Sequence, residues 1–145
     1  MKIIDTVGIK GVFELKVYKN GQPTEEYKDE NMIMNVAKEA LTKLIGGDGS
    51  GKTITKIGFG TNAFSPTPAD TSLTDAYIKN ITSKTYPQVN QVQFNWSLTT
   101  SEANGKSIRE FGLICSDNTL FARKTRGVIE KSDDISLEGS WTIIF

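Results

Sequence analysis

Gln91-Val92-Gln93-Phe94-Asn95-Trp96-Ser97-Leu98 is the stretch that decides the fold of this chain. Val92, Phe94, Trp96 and Leu98 alternate with polar residues, and successive side chains of a strand point to opposite faces, so the octet predicts a half-buried β-strand. Toward the C-terminus, Ala103-Asn104-Gly105-Lys106 has turn chemistry and leads into a strand over residues 107–115. Ser116-Asp117-Asn118 turns that strand into another over residues 119–124. Ile135, Leu137, Gly139, Trp141, Ile143 and Phe145 repeat the period of two up to the last residue, and an end this apolar must be docked in a sheet. Toward the N-terminus, residues 53–60 predict a short buried strand, and residues 61–70, with Pro66 and Pro68, an irregular loop. Phe13, Leu15 and Val17 alternate with Glu14 and Lys16, and Asn20-Gly21 is the pair best suited to a type I′ turn, so a hairpin into residues 24–28 is expected.

One segment has the other period. Between Asn31 and Ile45, the residues Ile33, Ala37, Ala40, Leu41 and Leu44 recur at helical spacing, with Asn31 placed to cap the start and Gly46-Gly47 to stop the end. Asp29-Glu30 then flanks the helix start, where the helix dipole favours acids. Antiparallel strands joined by tight turns, with one helix over a face or an end, predict a mainly β single domain over residues 1–145, packed as a sandwich or open barrel.

Composition narrows the chemistry. The apolar share is 37% before the 13 glycines are counted, which is ordinary for a globular chain of 145 residues. Lys+Arg and Asp+Glu are both 17, so the whole chain carries no electrostatic footprint for nucleic acid or anionic lipid, and neutrality suits a subunit that packs against others. There is no histidine, which excludes Ser-His and Cys-His nucleophiles and removes the commonest general base and metal ligand. Cys115 is the single cysteine and reads as a small buried apolar residue. No 18-residue apolar stretch occurs, and Asp5 interrupts the N-terminus early, so neither a membrane span nor a signal peptide is expected.

One motif looks like catalysis. Gly46-Gly47-Asp48-Gly49-Ser50-Gly51-Lys52-Thr53 matches the phosphate-binding P-loop letter for letter. That loop works only between a preceding strand and a following helix, whose N-terminal N–H groups face the phosphates. Here the helix comes first, and the residues that follow include β-branched ones and Gly58 and Gly60, so a connector is expected and no cofactor. Glu25-Glu26 and Asp133-Asp134 are adjacent pairs that point to opposite faces of a strand and cannot share a substrate. Arg123-Lys124-Thr125-Arg126, beside Phe121, is a short basic run that reads as a solvated strand end, or else as a contact for an acidic protein partner or, less favoured, nucleic acid.

Two stretches are familiar together: Asn31-Met32-Ile33 leading to Gly46-Gly47, Ile54-Thr55-Lys56-Ile57-Gly58-Phe59-Gly60-Thr61 and Pro66-Thr67-Pro68-Ala69-Asp70-Thr71; then Glu102 to Leu113, Asn118 to Lys124 and Ile135 to Ile143. They resemble a module of structural proteins of tailed bacteriophages, found in tail-fibre, baseplate and neck or collar components. The resemblance covers about residues 31–145. It implies an immunoglobulin-like or related β-sandwich, a non-catalytic role in the virion after synthesis in the host cytoplasm, and partners that are copies of itself, in a ring or fibre, and other tail or neck proteins. Edge strands and the 61–70 loop would make those contacts, with Phe64, Pro66, Pro68, Phe121, Arg123, Lys124 and Arg126 as candidate interaction residues. The alternative is a carbohydrate- or receptor-binding sandwich for host-surface recognition. Exposed aromatics would favour it, and Trp96 and Trp141 lie instead on apolar-patterned faces.

Overall fold

The structure, a computed structural model, describes residues 8–145. The elements run β1 (Lys10–Lys19), β2 (Gln22–Ile33), α1 (Asn35–Ile45), β3 (Ile54–Gly60), β4 (Tyr77–Asn80), β5 (Ser83–Thr85), β6 (Gln91–Leu98), β7 (Ser107–Cys115), β8 (Leu120–Glu130) and β9 (Ile135–Ile144). The chain is mainly β, and every strand pair is antiparallel. Asn20 and Gly21 have φ of 50° and 76°, as a type I′ turn requires, and they set the β1–β2 register from Lys19↔Gln22 to Gly11↔Asn31.

The helix begins three residues later than expected, with Met34 in place of Asn31 at its cap, because β2 runs on through Ile33. Asn31 caps nothing. Its side-chain oxygen accepts a 2.7 Å hydrogen bond from Trp141 Nε1, and its amide fills the space above Gly11, where a Cβ would lie 1.9 Å from Asn31 Oδ1. The helix start is satisfied from outside, since the Asn35 N–H donates to Pro68 O at 2.8 Å. Asp29 and Glu30 likewise belong to β2 and not to a helix start. They pair with Lys124 at 2.7 Å and Lys10 at 2.6 Å. At the other end the left-handed turn is made by Gly47, φ 83°, and the Asp48 N–H returns to Lys43 O.

The strands form one sheet in the order β4-β3-β7-β8-β2-β1-β9-β6-β5, curled into a half-barrel. Two segments cause the curl. The long strand β2 pairs with β1 over most of its length, then gives Met32 and Ile33 to Arg123 and Ala122 of β8. Strands β4 and β5 are two residues apart in sequence yet end the sheet on opposite sides, and between them the Ile81 and Thr82 N–H groups bond to Thr55 O of β3 and Asn95 O of β6. A strand that changes neighbours in this way makes a corner.

Curling brings the halves face to face. Phe13 of β1 has its ring centroid 4.8 Å from Phe111 of β7, 4.9 Å from Trp141 and 5.8 Å from Trp96, and Trp96 lies 5.5 Å from Phe59 of β3. Such aromatic pairs add about 0.5–1.5 kcal/mol each beyond their burial. Phe94, Trp96 and Leu98 all point inward, as their alternation predicts. Room for Trp96 comes from Gly139, where a Cβ would sit 2.4 Å from Trp96 Cζ2 and 2.2 Å from Glu14 O. Gly139→Ala is therefore expected to destabilise the fold by about 1–3 kcal/mol through overpacking, measured by urea unfolding. An unchanged midpoint would show that this contact does not govern the sheet.

Candidate functional site

The glycine-rich connector runs from α1 into β3, so its order is the reverse of a phosphate-binding loop. It latches onto the β7–β8 turn. Ser116 and Asp117 donate their N–H groups to Thr53 O and Gly51 O, both at 3.0 Å. Lys52 Nζ lies 2.7 Å from Asp117 Oδ2 and donates to Thr119 Oγ1 at 3.2 Å. The Lys52 hydrogen bond, helped by Thr119, holds the Asp117 carboxyl down at about 2. Cys115, just before this turn, is buried, and desolvation pushes its thiol up to about 11, far from a reactive thiolate.

The dominant polar feature lies beneath the loop of residues 61–75. Glu110 of β7 and Arg123 of β8 are 0% and 2% exposed, and Arg123 Nε donates to Glu110 Oε1 at 2.8 Å. The rest of the guanidinium serves the loop, with NH1 on Asp70 Oδ2 at 2.9 Å and NH2 on Asn62 O at 3.2 Å and Phe64 O at 2.9 Å. Glu110 Oε2 accepts the N–H groups of Asn62 at 3.0 Å and Thr74 at 2.8 Å. Three glycines make room. A Cβ on Gly60 would lie 2.4 Å from Glu110 Oε2, and Gly58 and Gly112, neighbours across β3 and β7, leave the hole that Leu73 fills.

Thus pinned, the loop holds Phe64 80% exposed while both its backbone groups are bonded, the N–H to Asn62 Oδ1 and the C=O to Arg123. Phe64, Pro66 and Pro68 thus share one loop, with Phe64 and Pro68 exposed and Pro66 half-buried. The structure removes Phe121 and Arg123 from the candidate contacts, since both are buried where β8 lies between β7 and β2. Lys124 and Arg126 already have acidic partners within the chain. Lys124 binds Asp29, Arg126 binds the Glu25 carboxylate with both NH groups, and the two cations lie 5.7 and 5.3 Å from the Tyr27 ring centroid. Together they bridge the gap where β2 and β8 diverge after two paired residues. Glu25, Tyr27 and Asp29 alternate along one strand face, and that spacing is the signal in the sequence that could have identified the partner.

Two further groups, one half-buried and one buried, were not legible. Glu102 takes Lys79 Nζ at 2.7 Å, the Tyr77 hydroxyl and the Thr99 N–H. Burial alone would raise its carboxyl, and these donors outweigh burial to bring it to about 2. Lys131, 2% exposed, donates to Asn104 Oδ1 at 2.7 Å and Ser132 O at 3.1 Å, and its ammonium is lowered mainly by desolvation. Among the described residues no group of three or more His, Cys, Asp or Glu side chains could hold a metal ion, and no helix is long and apolar enough to cross a membrane. A concavity of about 770 Å³ crosses the outer faces of β2, β1, β9 and β6, where Lys28 pairs with Glu14 at 3.2 Å and Lys16 with Glu26 at 3.9 Å.

Arg123→Ala, which leaves a buried carboxylate uncompensated, is expected to cost about 3–5 kcal/mol. Replacing both partners, Arg123→Met with Glu110→Leu, removes the stranded charge but orphans the loop's N–H and C=O groups, so it should recover only part of that stability while speeding hydrogen exchange at the Asn62 and Thr74 amides. Equal unfolding midpoints for wild type and Arg123→Ala would refute the anchoring role. Glu102 and Asp117 both have folded values below their ordinary 4.5 and 3.8, so the stability they contribute is present above those values and lost as pH falls toward about 2. Urea midpoints should fall across that window, and Glu102→Gln or Asp117→Asn should flatten the dependence. Comparison of the chain with family models, with curated proteins and with solved structures finds no match.

Proposed function

We propose that the chain is a non-catalytic structural protein of a tailed-bacteriophage virion, which assembles as a homo-oligomer in the neck, collar or tail and contacts neighbouring tail components. The observation that carries the reading is Phe64, a large apolar side chain held out in solvent on a loop whose backbone is clamped from below. Fixing a contact residue in advance lowers the ordering cost of association. An aromatic ring kept exposed on a rigid support has no stabilising role within its own chain. The residues that build the clamp, Gly58, Gly60, Asp70, Glu110, Gly112 and Arg123, all fall within the stretches that resemble the phage module. In the same reading, the facing halves of the sheet are the layers of an immunoglobulin-like or related sandwich, with β2 and the β4–β5 segment as corners.

Non-catalysis is supported by how the ionisable groups are used. Lys52, Glu102, Glu110, Asp117 and Arg123 each serve a structural pair. Saccharide recognition has less support: Trp96 and Trp141 are 2% and 0% exposed and offer no ring for stacking, which leaves Tyr86, 69% exposed, as the ring such a site would use.

Sedimentation velocity over a range of concentrations is the test. The wild type should associate, and Phe64→Ser should weaken association by about tenfold or more without changing the unfolding midpoint. A wild type that stays monomeric at every concentration would overturn the reading.

A further inference from the structure

The helix α1 separates two surfaces that complement each other. At its N-terminal end lies the clamped loop, joined to it through Pro68 O and the Asn35 N–H. That loop carries Phe64, and a groove of about 400 Å³ at the loop's base is lined by Thr61, Asp75, Asn104, Lys106, Ser107 and Arg109. Arg109 is the open charge of that groove. Arg123 and Arg126 bind carboxylates, whereas the Arg109 guanidinium has no hydrogen-bond or carboxylate partner among the described residues. Lys106 is already taken by Asp75, through its carbonyl and at 3.4 Å through its carboxylate. The ladder is interrupted at Arg109, which faces three residues of β8, Arg126, Gly127 and Val128, between the pairs Ile108↔Ile129 and Glu110↔Thr125. Irregularities of this kind re-aim side chains.

At the C-terminal end, about 16 Å away at 1.5 Å per residue, the helix presents Ile45, 88% exposed, and Leu44, 37% exposed. Next to them is Asp48, whose carboxylate has no cation partner among the described residues while its N–H closes the helix on Lys43 O. The negative end of the helix dipole adds to the Asp48 charge. Lys43 is the cation of this last turn, and Glu39, four residues earlier on the same face, offsets it. The loop joined to one end of the helix therefore carries an exposed aromatic ring, with an unpaired cation at its base, and the other end of the helix offers an aliphatic patch with an unpaired anion.

We infer that copies of this chain pack head to tail, Ile45 and Asp48 of one copy meeting Phe64 and Arg109 of the next. This rests on the assembly reading above and specifies its contact. Because the two surfaces differ, the contact is heterologous, and repeating it gives a closed ring or an open filament according to the rotation between copies. Complementary charge at the rim sets the register, and the apolar residues supply the burial.

Charge reversal tests it on the full chain. Arg109→Glu and Asp48→Lys should each reduce association by about tenfold or more, and the double variant should restore it, with circular dichroism and unfolding midpoints unchanged throughout. Ile45→Ser should weaken association as Phe64→Ser does. If the wild type associates while the single reversals are neutral, or the double reversal fails to restore association, the head-to-tail contact is wrong and assembly uses another surface. A wild type that never associates overturns the assembly reading itself.

Discussion

A loop that leaves a sheet must still satisfy its backbone, and here one buried ion pair does so for the longest connection in the chain. Residues 61–75 form no strand, so Asn62, Phe64 and Thr74 have no ladder for their N–H and C=O groups. Glu110 and Arg123 supply the missing partners, a carboxylate for two N–H groups and a planar fork for two carbonyls and Asp70. An apolar pair would pack as well and leave those groups orphaned. That explains why charge is tolerated where desolvation is so costly. The loop in turn lends Pro68 O to the helix start and Leu73 to the gap over Gly58 and Gly112, so the second, smaller core of Met34, Ile114 and Leu120 depends on the same clamp.

The half-barrel follows from neighbour exchange along the chain. Because β2 serves both β1 and β8, and the β4–β5 segment serves both β3 and β6, the sheet cannot lie flat, and the aromatic rings of the two halves meet. The outermost strands are four and three residues long and carry Lys79 and Lys84, short charged edges of the kind that discourage indiscriminate pairing. In the proposed head-to-tail assembly, contact between copies falls to side chains at the ends of α1 and on the clamped loop instead of to open strand edges. The place where β2 and β8 diverge is closed by Lys124, Arg126 and their acids around Tyr27, so the basic run acts as an internal brace.

Sequence alone determined the strands whose two faces differ in polarity. Residues 91–98 and 135–144 alternate so regularly that burial of one face follows directly, and Asn20-Gly21 fixed its hairpin through local φ preference. The inward placement of Trp96 and Trp141 follows from the same periodicity. Local rules also settled the orientation of the glycine-rich connector, since a β-rich segment after it cannot be a helix. What only the tertiary structure decided is everything set by a partner far away in the chain. Asn31-Met32-Ile33 suits a helix start as well as a strand, and pairing with Gly11 and Arg123 selects the strand. Arg123 looks like its neighbours in a basic run and is buried because Glu110, Asp70 and two loop carbonyls converge on it from residues 13 to 61 positions away. Period and turn preference act within a few residues and are therefore written in the sequence. The pairing of charges and the covering of a face depend on how the sheet curls, and that curl exists only once the strands have met.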